Sequence, residues 1–307
     1  MSKIIIIVVI FISGLLCLSG CNDKSKIRDS GKIQILTTTT IIADVVVNVC
    51  ENKANVECIL PPGASPHGFE MVPRDMLKID KANILFINGG GLEKFLEKVI
   101  NRQDVKNKTI SLSDHVKFLH KTDLNHENDH HELSDPHVWL DPNNVILWVN
   151  EIESALCKKD SVNSTHYKKN AQAYRLELQQ LDKWITNQFD TIYADQRKIV
   201  TDHRMLGYYA NRYGLEQIGT ILPGFSSLAE PSAREIARLQ EEIRKLNVKA
   251  IMVGMNMNPA LAVRITKDTG TKLVRFYGGS LSEKGGPADT YLKYMRFNTR
   301  AIVEALN

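Results

Sequence analysis

No strong charge imbalance marks this chain: 39 basic against 35 acidic residues give a formal charge of +4. Removing residues 1–20 takes away Lys3 and no acid, so the balance falls from +4 to +3. Such a weak excess gives no electrostatic case for nucleic acid or for a polybasic membrane patch. The apolar run at the start, residues 4–18, is shorter than the ~20 residues that cross a bilayer comfortably. No HExxH is present, and HELSDPH has the wrong spacing and a proline that breaks the required helix. Cysteine is scarce, with five in 307 residues. The chain is nevertheless long enough for two domains of ordinary size, each with its own core.

What is present begins at the N-terminus. Lys3, a short apolar stretch and then small residues have the layout of a secretory signal over residues 1–20. Leu18-Ser19-Gly20-Cys21 resembles the lipobox of bacterial lipoproteins, in which cleavage leaves Cys21 to carry lipid. The alternatives are an uncleaved anchor, or a signal followed by a chance cysteine. The polar tether of residues 21–31 fits the lipobox reading. With Cys17 in the signal and Cys21 lipidated, Cys50, Cys58 and Cys157 remain. An exported protein can keep a disulfide, and Cys50–Cys58 is the expected pair, against three buried thiols.

Beyond the tether, β-branched and aliphatic runs alternate with helical stretches. Residues 32–38, 55–60, 83–88 and 108–112 read as strands, with helices over 41–49 and 92–101. That alternation implies a parallel sheet with covering helices, and it defines a first lobe over residues 32–163. Within it, residues 113–136 form a polar stretch with no apolar period, read as a long exposed loop. It holds His126, His130 and His131; His115, like His166 further on, reads as a surface or structural residue. Residues 164–193 form the clearest helix. Tyr167, Ala171, Tyr174, Leu178, Leu181, Ile185 and Phe189 recur at three- and four-residue steps on one face. A rod of roughly 40 Å reaches across two lobes. A second alternation fills residues 194–307, including a helix whose N-cap Ser232 and Glu235 make a capping box. The expected architecture is α/β: two lobes, each a four-stranded parallel sheet with covering helices, joined by one long rigid helix.

Three histidines stand where strands give way to loops: His67 in GASPHGFE, His137 in DPHVWLDP and His203 in TDHR. Ligands of open α/β folds bind at the C-terminal ends of strands. A site shared by these three lies in the cleft between the lobes, where three imidazoles and one oxygen make a tetrahedral zinc site. Singly, each is also readable as an ordinary solvated histidine. Asp135, Asp202 and Glu70, near them in sequence, are candidates to orient the rings.

The segments PPGASPHGFE, NILFINGGGLEKFL, DPHVWLDP, TDHRMLGYYANRYGL, AEPSAREIARLQEEI and NTRAIVEAL together resemble the metal-specific solute-binding lipoproteins of ABC importers, the zinc- and manganese-binding group called cluster A-I or cluster 9. The resemblance covers essentially the whole chain after the signal. It implies metal held in the cleft by His67, His137 and His203, with histidine at the third position favouring zinc over manganese. It implies delivery to the permease of a metal importer by a monomer, lipid-anchored at Cys21 on the periplasmic or outer face of a bacterial membrane. No enzymatic activity follows; a three-histidine zinc hydrolase and a manganese-binding or adhesin-type lipoprotein are the alternatives. The loop histidines then read as auxiliary metal collectors or as a solvated loop. One departure stands out: Gly279 falls where the family pattern has an aspartate. Water, Glu70, Glu283 or a loop histidine is left to complete the shell.

Overall fold

The computed structural model describes residues 31–119 and 134–307. The signal segment, Cys21 with most of the tether, and His126, His130 and His131 lie outside the described residues.

The aliphatic runs form strands, and they do so in pairs of crossovers. In chain order the first lobe contains β1 (Ile33–Thr37), α1 (Thr40–Cys50), β2 (Ala54–Cys58), α2 (Pro73–Lys81), β3 (Ile84–Ile87), α3 (Glu97–Ile100), α4 (Gln103–Lys106), β4 (Thr109–Ser111) and α5 (Pro142–Lys159). Helix α6 (Ser164–Phe189) follows. The second lobe contains β5 (Lys198–Thr201), α7 (Gly207–Tyr213), β6 (Glu216–Thr220), α8 (Ala233–Leu246), β7 (Ala250–Gly254), α9 (Ala260–Thr269), β8 (Lys272–Phe276) and α10 (Tyr291–Leu306). Each sheet has four parallel strands, ordered β2-β1-β3-β4 and β6-β5-β7-β8. In both, the chain leaves the first strand to one side and later returns to its other side. That reversal opens a crevice at the strands' C-terminal ends.

Strand β3 is buried along its whole length, as a strand covered on both faces must be. Helix α1 is rich in β-branched residues, yet it is helical because Ile41, Ile42, Val45, Val46, Val49 and Cys50 form one buried stripe. Thr39 caps it by accepting from the Ile42 amide. All seven apolar residues expected on the face of α6 are buried. Its 26 residues make a rod of roughly 39 Å, which packs on α1 and α5 of the first lobe and on α7 and α10 of the second. One large apolar cluster therefore runs from Ile35 through Tyr174 and Leu181 to Ile302.

Three expectations change. The helix over 92–101 is broken into a 3-10 turn, Lys94–Leu96, and the short α3, because three glycines at positive φ wind the chain ahead of it. The polar stretch 113–136 is not exposed at its ends: Ser113, Val116 and Asp135 are buried, so an absent apolar period did not mean an exposed backbone. The Cys50–Cys58 disulfide is not formed, and both thiols are free. Cys50 closes α1 before β2 begins, whereas Cys58 ends β2. Their thiols have different partners: Cys50 Sγ lies 3.7 Å from the Glu51 carbonyl oxygen and Cys58 Sγ 3.7 Å from the Thr38 carbonyl oxygen. Burial pushes both thiols up to about 11, which keeps them protonated and unreactive at neutral pH. Helices α2 and α5 were not anticipated, although each starts with a proline in its first turn and Asp141 caps α5 through the Asn143 amide.

Candidate metal centre

The three histidines converge from three different loops. Pro66 and His67 follow β2, His137 precedes the 3-10 turn Val138–Leu140, and His203 follows β5 directly. Their ring centroids lie 5.3, 5.5 and 5.4 Å apart, a nearly equilateral triangle. One nitrogen from each falls within 4.8 Å of the others, the one such cluster of His, Cys, Asp and Glu among the described residues. His67 Nε2 lies 3.1 Å from His137 Nε2. Two nitrogens bound to one tetrahedral zinc at ~2.0 Å would stand about 3.3 Å apart, so the spacing suits a shared ion.

Ring orientation is set by carboxylates close in sequence. Asp135 Oδ1 accepts from the His137 backbone N–H at 3.0 Å and from its Nδ1 at 2.7 Å. Asp202 Oδ1 does the same for His203, at 2.6 Å to each nitrogen, while its Oδ2 accepts from the Gly254 amide at 2.7 Å. Because Nδ1–H donates to a carboxylate, Nε2 of both rings carries the lone pair, the form a metal requires. His203 Nε2 is buried and has no hydrogen-bond partner among the described residues.

The electrostatics keep the His67 and His137 rings neutral. Burial, then the neighbouring His137 and His203, pulls His67 down to about 3. Burial, reinforced by His203, also holds His137 well below the ordinary imidazole range. Asp135 is pushed up to about 7 by the same burial. Neutral imidazoles with no proton to displace are ready ligands.

Further residues hold the site in ways the sequence did not reveal. Glu93, buried, accepts from Thr38 Oγ1 and from the amides of Asn88 and Gly89. Asn88 in turn donates to the Pro136 carbonyl, fixing the backbone just before His137. Trp139 lies edge-on to His137 and donates to Tyr294 Oη, which itself donates to the Gly278 carbonyl. These links join residues distant in sequence, so no spacing signalled them. The exception is Glu93, whose position just after three glycines could have been read as a carboxylate gathering loose amides.

Two expected participants are not brought in. Glu70 is exposed and does not line the cavity at the three rings. Glu283 is exposed and lines a neighbouring cavity instead. At Gly279 an added Cβ would meet Pro66 Cδ at 3.0 Å, so Pro66 stands where a side chain from that position would start.

Comparison with known proteins agrees with this architecture. The profile of the family described as "Zinc-uptake complex component A periplasmic" matches residues 35–305. The manganese-binding lipoprotein MntA of Halalkalibacterium halodurans is 29% identical over 310 residues, covering 100% of both chains. The manganese ABC transporter substrate-binding lipoprotein scaA of Streptococcus gordonii is 30% identical over 298 residues, 94% of each chain. Among solved structures, the periplasmic zinc binding protein TroA of Treponema pallidum superposes with a TM-score of 0.81 at 23% identity, covering 90% of this chain and 99% of that one. At that identity the likeness is one of fold.

Proposed function

The chain belongs to the zinc-uptake complex component A family, and on that premise we propose that it captures zinc between its lobes and delivers it to the permease of an ABC importer. The ligands are His67, His137 and His203. At the coarser level the protein is a metal-binding substrate-binding protein of the ABC importer class, as its relatives are named. Lipidation of Cys21 would tether it outside the cytoplasm, where it acts as a monomer.

One observation carries the choice of zinc: among the described residues the cluster offers nitrogen from three imidazoles and no carboxylate oxygen. Manganese favours oxygen ligands, whereas imidazole suits zinc, copper, iron and nickel. The manganese in the names of two relatives is the competing choice, and the ligand set argues against it. A hydrolase is disfavoured by room. The cavity at the rings holds about 20 Å³, and His137 and His203 are buried, so neither an ester nor a peptide fits beside the ion.

Capture then works by closing a shell of neutral nitrogens about the ion. The two aspartates behind the rings orient the imidazoles without touching the ion. Release requires the lobes to part, since the ligands come from loops of both. The test is calorimetric titration of zinc and, separately, manganese into the metal-stripped protein. Zinc binding near one equivalent with manganese much weaker supports the assignment. Manganese binding as tight as zinc would overturn the zinc reading, and tight zinc binding after all three histidines become alanine would overturn the site.

A further inference from the structure

This inference rests on the reading that Cys21 carries lipid, and concerns the surface that then meets the membrane. The strands of the first sheet are parallel and their crossover helices run back against them. Strand N-termini and helix C-termini therefore share one pole, opposite the strand ends that lead to His67. Strand β1 begins at this pole, at Ile33, so the tether leaves the fold here. Helix α6 also starts here, for Asn170 donates to the Val49 carbonyl near the end of α1 at 3.2 Å. It ends at the equivalent pole of the second lobe, where Arg197, just before β5, donates to the Phe189 carbonyl at 2.7 Å. The two poles lie at opposite ends of a rod of roughly 39 Å.

The first pole is crowded with lysine. Lys81 ends α2, Lys106 ends α4, Lys158 and Lys159 end α5, and Lys168 and Lys169 stand in the second turn of α6. All are exposed, and none is ion-paired among the described residues. The acids nearby are engaged elsewhere. Glu51 meets His166 at 3.3 Å, Asp80 and Asp104 meet Arg102 at 3.3 and 2.8 Å, and Asp160 accepts from Tyr167 Oη at 2.6 Å. Part of the pattern has a local cause, since cations at helix C-termini complement the dipole. That does not account for Lys168 and Lys169, which follow a helix N-terminus, nor for Val162, 92% exposed in the turn between α5 and α6. The formal charge of +4 conceals the pole because it sums over the whole surface.

We propose that this pole of the first lobe docks on the anionic phospholipid headgroups of the membrane that holds the anchor, while the second lobe stands away from it. Residues 22–32 span at most roughly 40 Å, so lipid on Cys21 keeps this pole near the bilayer, with the far pole a rod's length beyond. Attraction between lysines and headgroups fades within a Debye length, ~8 Å at physiological salt. The anchor is what brings these charges into range. Docked in this way, the cleft between the lobes stays clear of the headgroups.

The test reconstitutes the lipidated protein into vesicles of phosphatidylcholine alone, or of equal parts phosphatidylcholine and phosphatidylglycerol. Exposed lysines are then acetylated with a water-soluble reagent, and modification at each is followed by mass spectrometry. With phosphatidylglycerol present, Lys81, Lys106, Lys158, Lys159, Lys168 and Lys169 are expected to react several-fold more slowly. Lys245, Lys267 and Lys272, exposed at the far pole, are expected to react alike on both vesicles. Raised salt is expected to remove the protection, and protection that survives it overturns the electrostatic contact. Equal reactivity of the first pole on both vesicles, with protein retained by each, overturns the docking and leaves the anchor standing. Protection spread equally over the two poles overturns the assignment to the first lobe. Protein retained by neither vesicle overturns the anchor, and the docking with it.

Discussion

Asp135 and Asp202 each offer one oxygen to both the backbone N–H and the Nδ1–H of a histidine, at 2.6 to 3.0 Å. This fixes the tautomer as well as the ring angle. Asp135→Asn keeps the size of the side chain, loses the negative charge behind His137 and allows its amide to turn towards Nδ1. The expected outcome is a 10–100-fold loss of zinc affinity with little change in melting temperature, as for other carboxylates that orient a metal-bound imidazole. Competition with a fluorescent zinc indicator measures the first and thermal unfolding the second. At this scale much was legible in advance. An aspartate immediately before His203 and another two residues before His137 are local neighbours, so their role as ring partners could be read from spacing. The fates of Glu70 and Glu283 could not, because whether an exposed acid reaches a site depends on loop paths that spacing does not encode. Cys50 and Cys58 show the same limit: closeness in sequence suggested a bond, yet both thiols are free and face different carbonyl groups.

Among the elements, α6 and α10 are held by different means. Helix α6 depends on its buried stripe, so Leu178→Ala, at a fully buried position, is expected to cost 2–5 kcal/mol in urea unfolding. Helix α10 is capped from another element: Asp44 on α1 accepts from the Tyr291 amide at 2.9 Å and from Asn48 Nδ2. Burial, the largest influence, and then Asp289 raise Asp44, against the Tyr291 amide, Lys293 and Tyr174, to a net value of about 6. The folded protein therefore binds this proton more tightly than the unfolded chain does. The stabilisation is complete below the unfolded value near 3.8 and is lost as pH rises through about 6. Asp44→Asn keeps an acceptor for Tyr291 and removes the buried charge. It is expected to gain about 1 kcal/mol over the parent protein at pH 8 and nothing at pH 3.5, read from urea unfolding at the two pH values. The exposed capping box at Ser232 and Glu235 behaves more simply, and Ser232→Ala is expected to cost about 1 kcal/mol.

In the whole molecule, the two sheets are tied by more than α6. Ser280, after β8, accepts from the Gly63 amide at 2.8 Å and meets Thr40 Oγ1 at 3.1 Å, while the Leu281 amide donates to Thr40. Ser65 and Ser227 meet at 3.3 Å beside the rings. These contacts join the lobes next to the metal centre, so they resist the parting that releases the ion. Ser280→Ala removes one buried acceptor, a loss of about 1 kcal/mol. Zinc dissociation, followed by stopped-flow capture with a strong chelator, is expected to accelerate several-fold, with the association rate little changed.

The sequence by itself determined the local order of this protein. It set the alternation of strands and helices, the apolar face of α6 and the placement of three histidines at strand ends, because each is a matter of periodicity or adjacency along the chain. Only the tertiary structure decided that His67 meets His137, 70 residues away, at 3.1 Å, and that Pro66 faces Gly279. Those distances follow from strand order and from the packing of both lobes on one helix. Such long-range closure depends on the whole core at once, and no short stretch of residues records it.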